Sequence, residues 1–336
     1  MENKVNITID GVEMSVPSTY TILDAAREHN IDIPTLCFLK DVNEVGDCRM
    51  CVVEVEGRRG FATACIQKVE EGMVVKTDTP AVNESRRIML DLILSTHNRD
   101  CLTCTRNGNC ELQNLAHKFN ITDLDFDGER IEKPIDDMSP SIVRDFDKCI
   151  LCGRCVARCK AAHGNGILGF EKRGFNTIVA PAENRSFGES PCILCGQCVN
   201  VCPTGALMEK SEIDLVDEAM KAGKYLVVQT APAVRAALGE EFGNKIGTAV
   251  TGKMVAALKR LGVDKVYDTN FGADLTIMEE GTELLNRVKN GGKLPLITSC
   301  SPGWVRYCEY FYPELLDNLS SCKSPQGMTG AIIKSY

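Results

Sequence analysis

Polar and apolar positions alternate over residues 5–9 and again over 12–16, with Asp10-Gly11 between them. Period two predicts two half-buried strands, and the Asp-Gly pair predicts a tight hairpin joining them. Ser18-Thr19-Tyr20-Thr21 leads into Ile22-Leu23-Asp24-Ala25-Ala26-Arg27, a helix expected to stop near Asn30. Strand patterns return at 51–55 and 73–77. Residues 1–80 therefore read as one sheet with a helix packed across it. A helical period follows over 83–94, where Ile88, Leu90, Leu92 and Ile93 supply the expected buried stripe. The Asp-rich stretch 123–137 reads as a solvated connection.

Within 140–209 the chain repeats itself. Cys149-Ile150-Leu151-Cys152-Gly153-Arg154-Cys155-Val156 returns as Cys192-Ile193-Leu194-Cys195-Gly196-Gln197-Cys198-Val199, so two copies of one small unit are expected to pack together. After residue 210 strand patterns at 225–229, 265–268 and 294–297 alternate with helical stretches such as 273–289. That alternation predicts a parallel sheet with chemistry at the strand ends. The fold class is thus α+β followed by α/β, in four domains: 1–80, 81–139, 140–209 and 210–336. The pattern stops at Tyr336 inside a periodic segment with no cap signal, which reads as a truncation.

Composition narrows the function. Across 336 residues, 38 Lys and Arg stand against 46 Asp and Glu, a formal charge of −8, so no phosphate-tracking basic surface is expected and no nucleic-acid partner. No apolar run is long enough for a membrane span. The first residues alternate and carry no export signal, which places the protein in a reducing cytoplasm. There, 18 cysteines mean bound metal and not disulfides.

Fifteen of those cysteines and one histidine form four sets of four. The runs Cys149-x2-Cys152-x2-Cys155-x3-Cys159 and Cys192-x2-Cys195-x2-Cys198-x3-Cys202-Pro203 have the two-cluster ferredoxin spacing, in which the fourth cysteine of each run serves the other cluster. One [4Fe–4S] cluster is then expected on Cys149, Cys152, Cys155 and Cys202, and a second on Cys192, Cys195, Cys198 and Cys159. Lys160 stands where the pattern has proline. Cys37, Cys48, Cys51 and Cys65 are spaced more loosely and suit a [2Fe–2S] cluster, with zinc as the competing reading. Gly46 is expected to let the backbone approach that cluster's sulfides. His97, Cys101, Cys104 and Cys110 suit a third [4Fe–4S] cluster, and this set by itself also fits structural zinc. His29, His117 and His163 read as ordinary core or surface residues, as do Cys308 and Cys322. Four redox centres in succession make the first two-thirds of the chain an electron relay.

This order of a β-grasp [2Fe–2S] domain, a one-histidine three-cysteine domain and a two-cluster ferredoxin domain resembles NADH–quinone oxidoreductase large iron–sulfur subunits, some formate dehydrogenase alpha subunits and [FeFe]-hydrogenases. Residues 230–235 (TAPAVR), 268–280 (DTNFGADLTIMEE), 298–304 (TSCSPGW) and 323–326 (KSPQ) resemble the opening of the catalytic domain of the [FeFe]-hydrogenases, the iron-only hydrogenases. The resemblance implies reversible conversion of two protons and two electrons to H2 at an H-cluster, a [4Fe–4S] cluster joined to a two-iron subsite. It implies that Cys300 passes protons to that subsite, that Ser320, Glu283 and Glu280 form a relay outward, and that Arg287 closes its surface end. Without it, Glu280 and Glu283 read as a solvated helix face.

Pro232, Ala233, Ser301, Pro325 and Gln326 are implied to lie at the cofactor. Ser301 stands where the family commonly has a second cysteine that ligates the cubane, and Ala233 where some members carry serine. The later cysteine motifs are not in this sequence, so the H-cluster is expected to be incomplete here and to assemble only in a longer version. The implied electron partner is ferredoxin or a flavin-containing NAD(P)H-oxidising subunit. A non-catalytic multi-cluster carrier or redox sensor, and the quinone-oxidoreductase or formate dehydrogenase subunit, are the alternatives.

Overall fold

The computed structural model describes residues 3–128, 134–298 and 300–336. Part of the Asp-rich stretch (129–133), the first two residues and Ser299 of the 298–304 motif lie outside them. The chain forms two compact units, Met1–Lys210 and Ser211–Tyr336.

The first unit opens with β1 (Lys4–Ile9) and β2 (Val12–Pro17), joined at Asp10 and Gly11, both at positive φ. Helix α1 (Ile22–Glu28) begins at Thr21, whose side chain and that of Asp24 cap each other's backbone N–H groups. Strands β3 (Val52–Val55), β4 (Phe61–Thr63) and β5 (Val74–Lys76) complete a five-stranded sheet of order β2-β1-β5-β3-β4, in which β1 and β5 run parallel. Ile22, Leu23, Ala25 and Ala26 of α1 pack on Ile7, Ile9, Val16, Val53 and Val75, forming the core beneath the first cysteine loop.

Helix α2 (Pro80–Ser95) starts at a Thr79 cap with Pro80 in its first turn. Its buried stripe is Val82, Leu90 and Leu94, with Arg86 and Asp91, while Ile88 and Leu92 face solvent. The expected stripe therefore has the wrong phase at two positions: Arg86 turns inward to donate to the Val52 carbonyl at 2.8 Å and fixes the helix rotation. Helix α3 (Glu111–Lys118) packs Leu112 and Leu115 against α2 and the first cysteine loop.

Strand β6 (Ile142–Arg144), helix α4 (Arg154–His163), the hairpin β7 (Gly169–Glu171) and β8 (Ile178–Ala180), helix α5 (Gln197–Asn200) and strand β9 (Leu207–Glu209) build the repeat region. β6 and β9 pair antiparallel and close it. The Asp-rich stretch is more than a connection. Asp136 bonds Arg144 backbone to backbone and by a 2.8 Å ion pair, with the two side chains 11% and 4% exposed.

The second unit holds α6 (Ile213–Lys221), β10 (Val227–Thr230), α7 (Val234–Glu241), α8 (Thr251–Arg260), β11 (Lys265–Asp268), α9 (Asn270–Asn290), α10 (Pro302–Phe311) and α11 (Pro325–Ser335). β10 and β11 pair in parallel, as alternation predicts. The expected strand at 294–297 does not form. Pro295 supplies no N–H for a ladder, and only Ile297 bridges, to Leu319. Helices α9 and α11 cross at Gly272, where a Cβ would collide with the Pro325 carbonyl and Thr329.

Candidate metal centres

The first cysteine loop brings its four thiols together as two pairs. Cys51 Sγ lies 3.3 Å from Cys65 Sγ, and the Cys37 N–H donates to Cys48 Sγ at 3.4 Å. A hydrogen bond from the Cys37 thiol, opposed by burial and aided by backbone N–H groups, brings Cys48 down to about 7, while Cys37 is pushed up by the same bond and by burial. Cys65 is likewise raised and Cys51 lowered. Gly46 takes positive φ, and a side chain there would press on Ile66 and Thr63 at 3.1 Å.

His97 is buried just beyond the end of α2, and Cys110 is buried at the start of α3. Cys101 and Cys104 are half-buried between them. Burial raises the Cys110 thiol, and the charges of Cys104 and Cys101 add to the rise, so the three sulfurs feel one another. Gly205 makes room for this loop: a Cβ there would stand 2.8 Å from Cys104 Sγ. His29, His117 and His163 are all exposed, as expected.

The repeat is reproduced in backbone detail. Leu151 and Leu194 both take φ +55°, and Gly153 and Gly196, at +75° and +71°, start α4 and α5. The fourth cysteine of the second run, Cys202, lines a cavity with the first run's thiols. Cys155 is raised well above the usual thiol range, first by burial and then by the charges of Cys149, Cys152, Cys202 and Cys198. Cys198 is pushed up to about 12 by burial and then by Cys192, Cys159 and Cys195. Cys149, Cys152, Cys155 and Cys202 line one cavity with Ile150, Val179, Pro203 and Leu207. Among the described residues no group of three or more His, Cys, Asp or Glu side chains is placed to hold a single bare metal ion.

In the second unit the 230–235 and 268–280 segments meet at the carboxyl ends of β10 and β11. Arg235 pairs with Asp268 at 2.8 Å, and Gln229 donates to the Gln326 carbonyl at 3.1 Å. Pro232 and Ala233 are exposed there, with Pro325 half-buried. Ser320 Oγ donates to Glu283 Oε2 at 2.8 Å, and Arg287 holds the same carboxylate at 2.6 Å. Cys300 is exposed. Ser301 caps α10 by accepting from the Trp304 N–H at 3.4 Å. Cys308 is buried and donates to the Tyr312 carbonyl, and Cys322 donates to Glu283.

Comparison with known proteins agrees with this geometry. Residues 224–336 match the family described as iron only hydrogenase large subunit, C-terminal domain. The chain is 51% identical to the NADP-reducing hydrogenase subunit HndD of Solidesulfovibrio fructosivorans, over 99% of this chain and 59% of that one. The chain is similar to iron-only hydrogenase large subunits along nearly its whole length. It is 44% identical to iron hydrogenase 1 of Clostridium pasteurianum, over 98% of this chain and 58% of that one. The chain thus spans a little under three-fifths of the length of these relatives.

Residues 2–80 match a 2Fe-2S iron-sulfur cluster binding domain, 86–124 the NADH-ubiquinone oxidoreductase-G iron-sulfur binding region, and 148–206 a 4Fe-4S dicluster domain. A chain of the crystal structure of an NAD+-reducing [NiFe]-hydrogenase in the H2-reduced state matches with a TM-score of 0.58 and 29% identity, over 62% of this chain and 88% of that one. The iron–sulfur module therefore has a mixed α/β fold also found beside a different hydrogenase chemistry. No helix of the described residues is long and apolar enough to cross a membrane. The sequence reading missed Asn43, Arg106 and Gly205, which touch the cysteine loops but belong to no spacing pattern.

Proposed function

We propose that the first unit carries one [2Fe–2S] and three [4Fe–4S] clusters and delivers electrons to, or from, a hydrogen-converting site to which the second unit contributes. Cys37 with Cys48, and Cys51 with Cys65, would each hold one iron of the [2Fe–2S] cluster. His97, Cys101, Cys104 and Cys110 would hold one [4Fe–4S] cluster, and the two crossed sets of the repeat the others. The crossed grouping of Cys202 with the first run and Cys159 with the second carries this reading, because two zinc sites would have no use for it. When bound, the clusters supply one-electron storage at closely spaced points. The protein's part is to keep the thiols in apolar, backbone-lined pockets and to exclude water from them.

At the hydrogenase end, the second unit offers Cys300, Cys308 and Cys322 as its thiols. Two of these are engaged elsewhere and Ser301 serves a helix, so these residues do not by themselves fit a [4Fe–4S] core, and no step is derived through it. What this chain supplies is a proton path. Cys300 would hand protons inward, and Glu280, Ser320 and Glu283 would pass them along, with Arg287 fixing the outer carboxylate. H2 and protons would be the substrates. The electron partner would be ferredoxin or a flavin-containing NAD(P)H-oxidising subunit, a reading supported by the name of the HndD relative.

Anaerobically purified protein should hold about 14 irons per chain. Zinc in place of iron at the His97 set would overturn that assignment. In a version that evolves hydrogen, Cys300→Ala should remove most turnover and leave the relay spectra unchanged. Unchanged turnover would take Cys300 out of the path. The second reading, an electron carrier without turnover, predicts full cluster content with no hydrogen from any reductant.

A further inference from the structure

Asn43 belongs to neither of the cysteine loops it joins. It is 5% exposed and sits in a tight turn, where its backbone N–H donates to the Leu39 carbonyl at 2.7 Å and its carbonyl accepts from the Leu39 N–H at 3.0 Å. Its side-chain nitrogen donates to the Cys37 carbonyl at 2.8 Å and to the Cys152 carbonyl at 3.1 Å. Both neighbours are acceptors, so the amide nitrogen, which carries two N–H groups, must face them. One atom thus spans the first cysteine loop and the first run of the repeat, 109 residues apart in sequence. Cys48, Cys149 and Cys152 also line one crevice beside it, with Leu36 and Ile150.

An uncharged amide is suited to this place. Lysine or arginine would set a charge between two buried sulfur sets, and a carboxylate would face two carbonyl oxygens and repel both. A junction onto the second run is built differently, from the Arg106 guanidinium donating to the Cys202 carbonyl at 2.8 Å.

We propose that Asn43 is the positioning residue that keeps the [2Fe–2S] loop and the Cys149–Cys155 loop in electronic contact, by a route from the Cys37 carbonyl through the amide to the Cys152 carbonyl. This rests on the reading that both loops hold clusters. One electron leaves the [2Fe–2S] cluster as one arrives on the [4Fe–4S] cluster, or the reverse. No proton moves and no covalent bond changes.

The test uses the whole iron-loaded chain, reduced with substoichiometric dithionite. Asn43→Leu keeps the shape and removes both donors. Its iron content and the g-values of each cluster should match the parent protein. The spin–spin broadening between the reduced [2Fe–2S] and its [4Fe–4S] neighbour should weaken, and one-electron redistribution between them after a flash of reductant should slow several-fold. Unchanged coupling and rate would overturn the proposal. Should Asn43→Leu lose iron, Asn43→Ser, which keeps one hydroxyl donor, decides. Weakened coupling at full iron content supports the bridge, whereas iron loss in both variants makes Asn43 a purely structural residue and overturns it. A parent protein without a [2Fe–2S] signal would instead sink the relay reading, so the two failures are separable.

Discussion

Leu151 and Leu194 occupy equivalent places in the two copies of the repeat, and both are held at φ +55°, a left-handed conformation that leucine seldom adopts. In each copy the turn comes directly before the second cysteine of its run. A β-branched side chain suffers more at such φ, so Leu151→Ile or Leu194→Ile should cost about 1–2 kcal/mol. Leu151 is 37% exposed, and Leu151→Gly should therefore be nearly neutral, whereas Leu194 packs on the core and Leu194→Gly should still destabilise. Thermal melts of the iron-loaded variants check this. Isoleucine tolerated at both sites would mean the turn relaxes.

Arg144 is the most committed buried charge of the repeat region. It pairs with Asp136, stacks on Phe146 at 4.4 Å and on Phe187 at 5.3 Å, and donates to the Val179 carbonyl. Asp136→Ala strands the guanidinium and should cost about 3 kcal/mol. Asp136→Asn keeps an acceptor and should cost less. Denaturation midpoints that rank the two variants the other way would contradict this account.

Glu283 and Glu280 should titrate apart. Burial alone would lift Glu283, but the donors Ser320, Arg287 and Ser321 N–H outweigh it and hold the carboxyl below its ordinary 4.5. Burial and the charge of Glu283 raise Glu280. The depressed Glu283 contributes stability that is present above its unfolded pKa and is lost as pH falls through its folded one. The raised Glu280 has the opposite sign: stability declines as pH rises from its unfolded toward its folded pKa. Ser320→Ala removes a donor from Glu283 and should move that carboxyl upward. Carboxyl 13C titration reads the two groups, and a Glu283 that titrates above Glu280 would be the contrary result.

Gly205→Ala should disable one site selectively. The added methyl would meet Cys104 Sγ at 2.8 Å and Lys148 Cδ at 3.3 Å. We expect a loss of about four irons, the complement of one [4Fe–4S] cluster, with the [2Fe–2S] signal retained. Unaltered iron content would show that Cys104 has room to move.

Several features were legible before folding because they depend on local chemistry. The Asp10-Gly11 hairpin and the helix that follows Thr21 each follow from residues a few positions apart, and both appear as expected. The phase of α2 did not, because the inward turn of Arg86 is set by a carbonyl on β3, far away in sequence. The strand expected at 294–297 failed because an apolar run says nothing about whether its N–H groups find a ladder. The ion pair of Asp136 was hidden in a stretch whose composition suggested only solvation.

Sequence alone determined the chemistry: thiols at fixed spacings, the repeat, and the segments shared with iron-only hydrogenases. These are one-dimensional signals, since ligand type and short loop length are properties of neighbouring residues. Only the tertiary structure decided which residues stand between the thiol sets. Asn43 beside the Cys152 carbonyl, Gly205 beside Cys104 and Ser320 beside Glu283 are juxtapositions of distant segments. They exist because packing closes long loops around apolar cores, and no spacing rule encodes that closure.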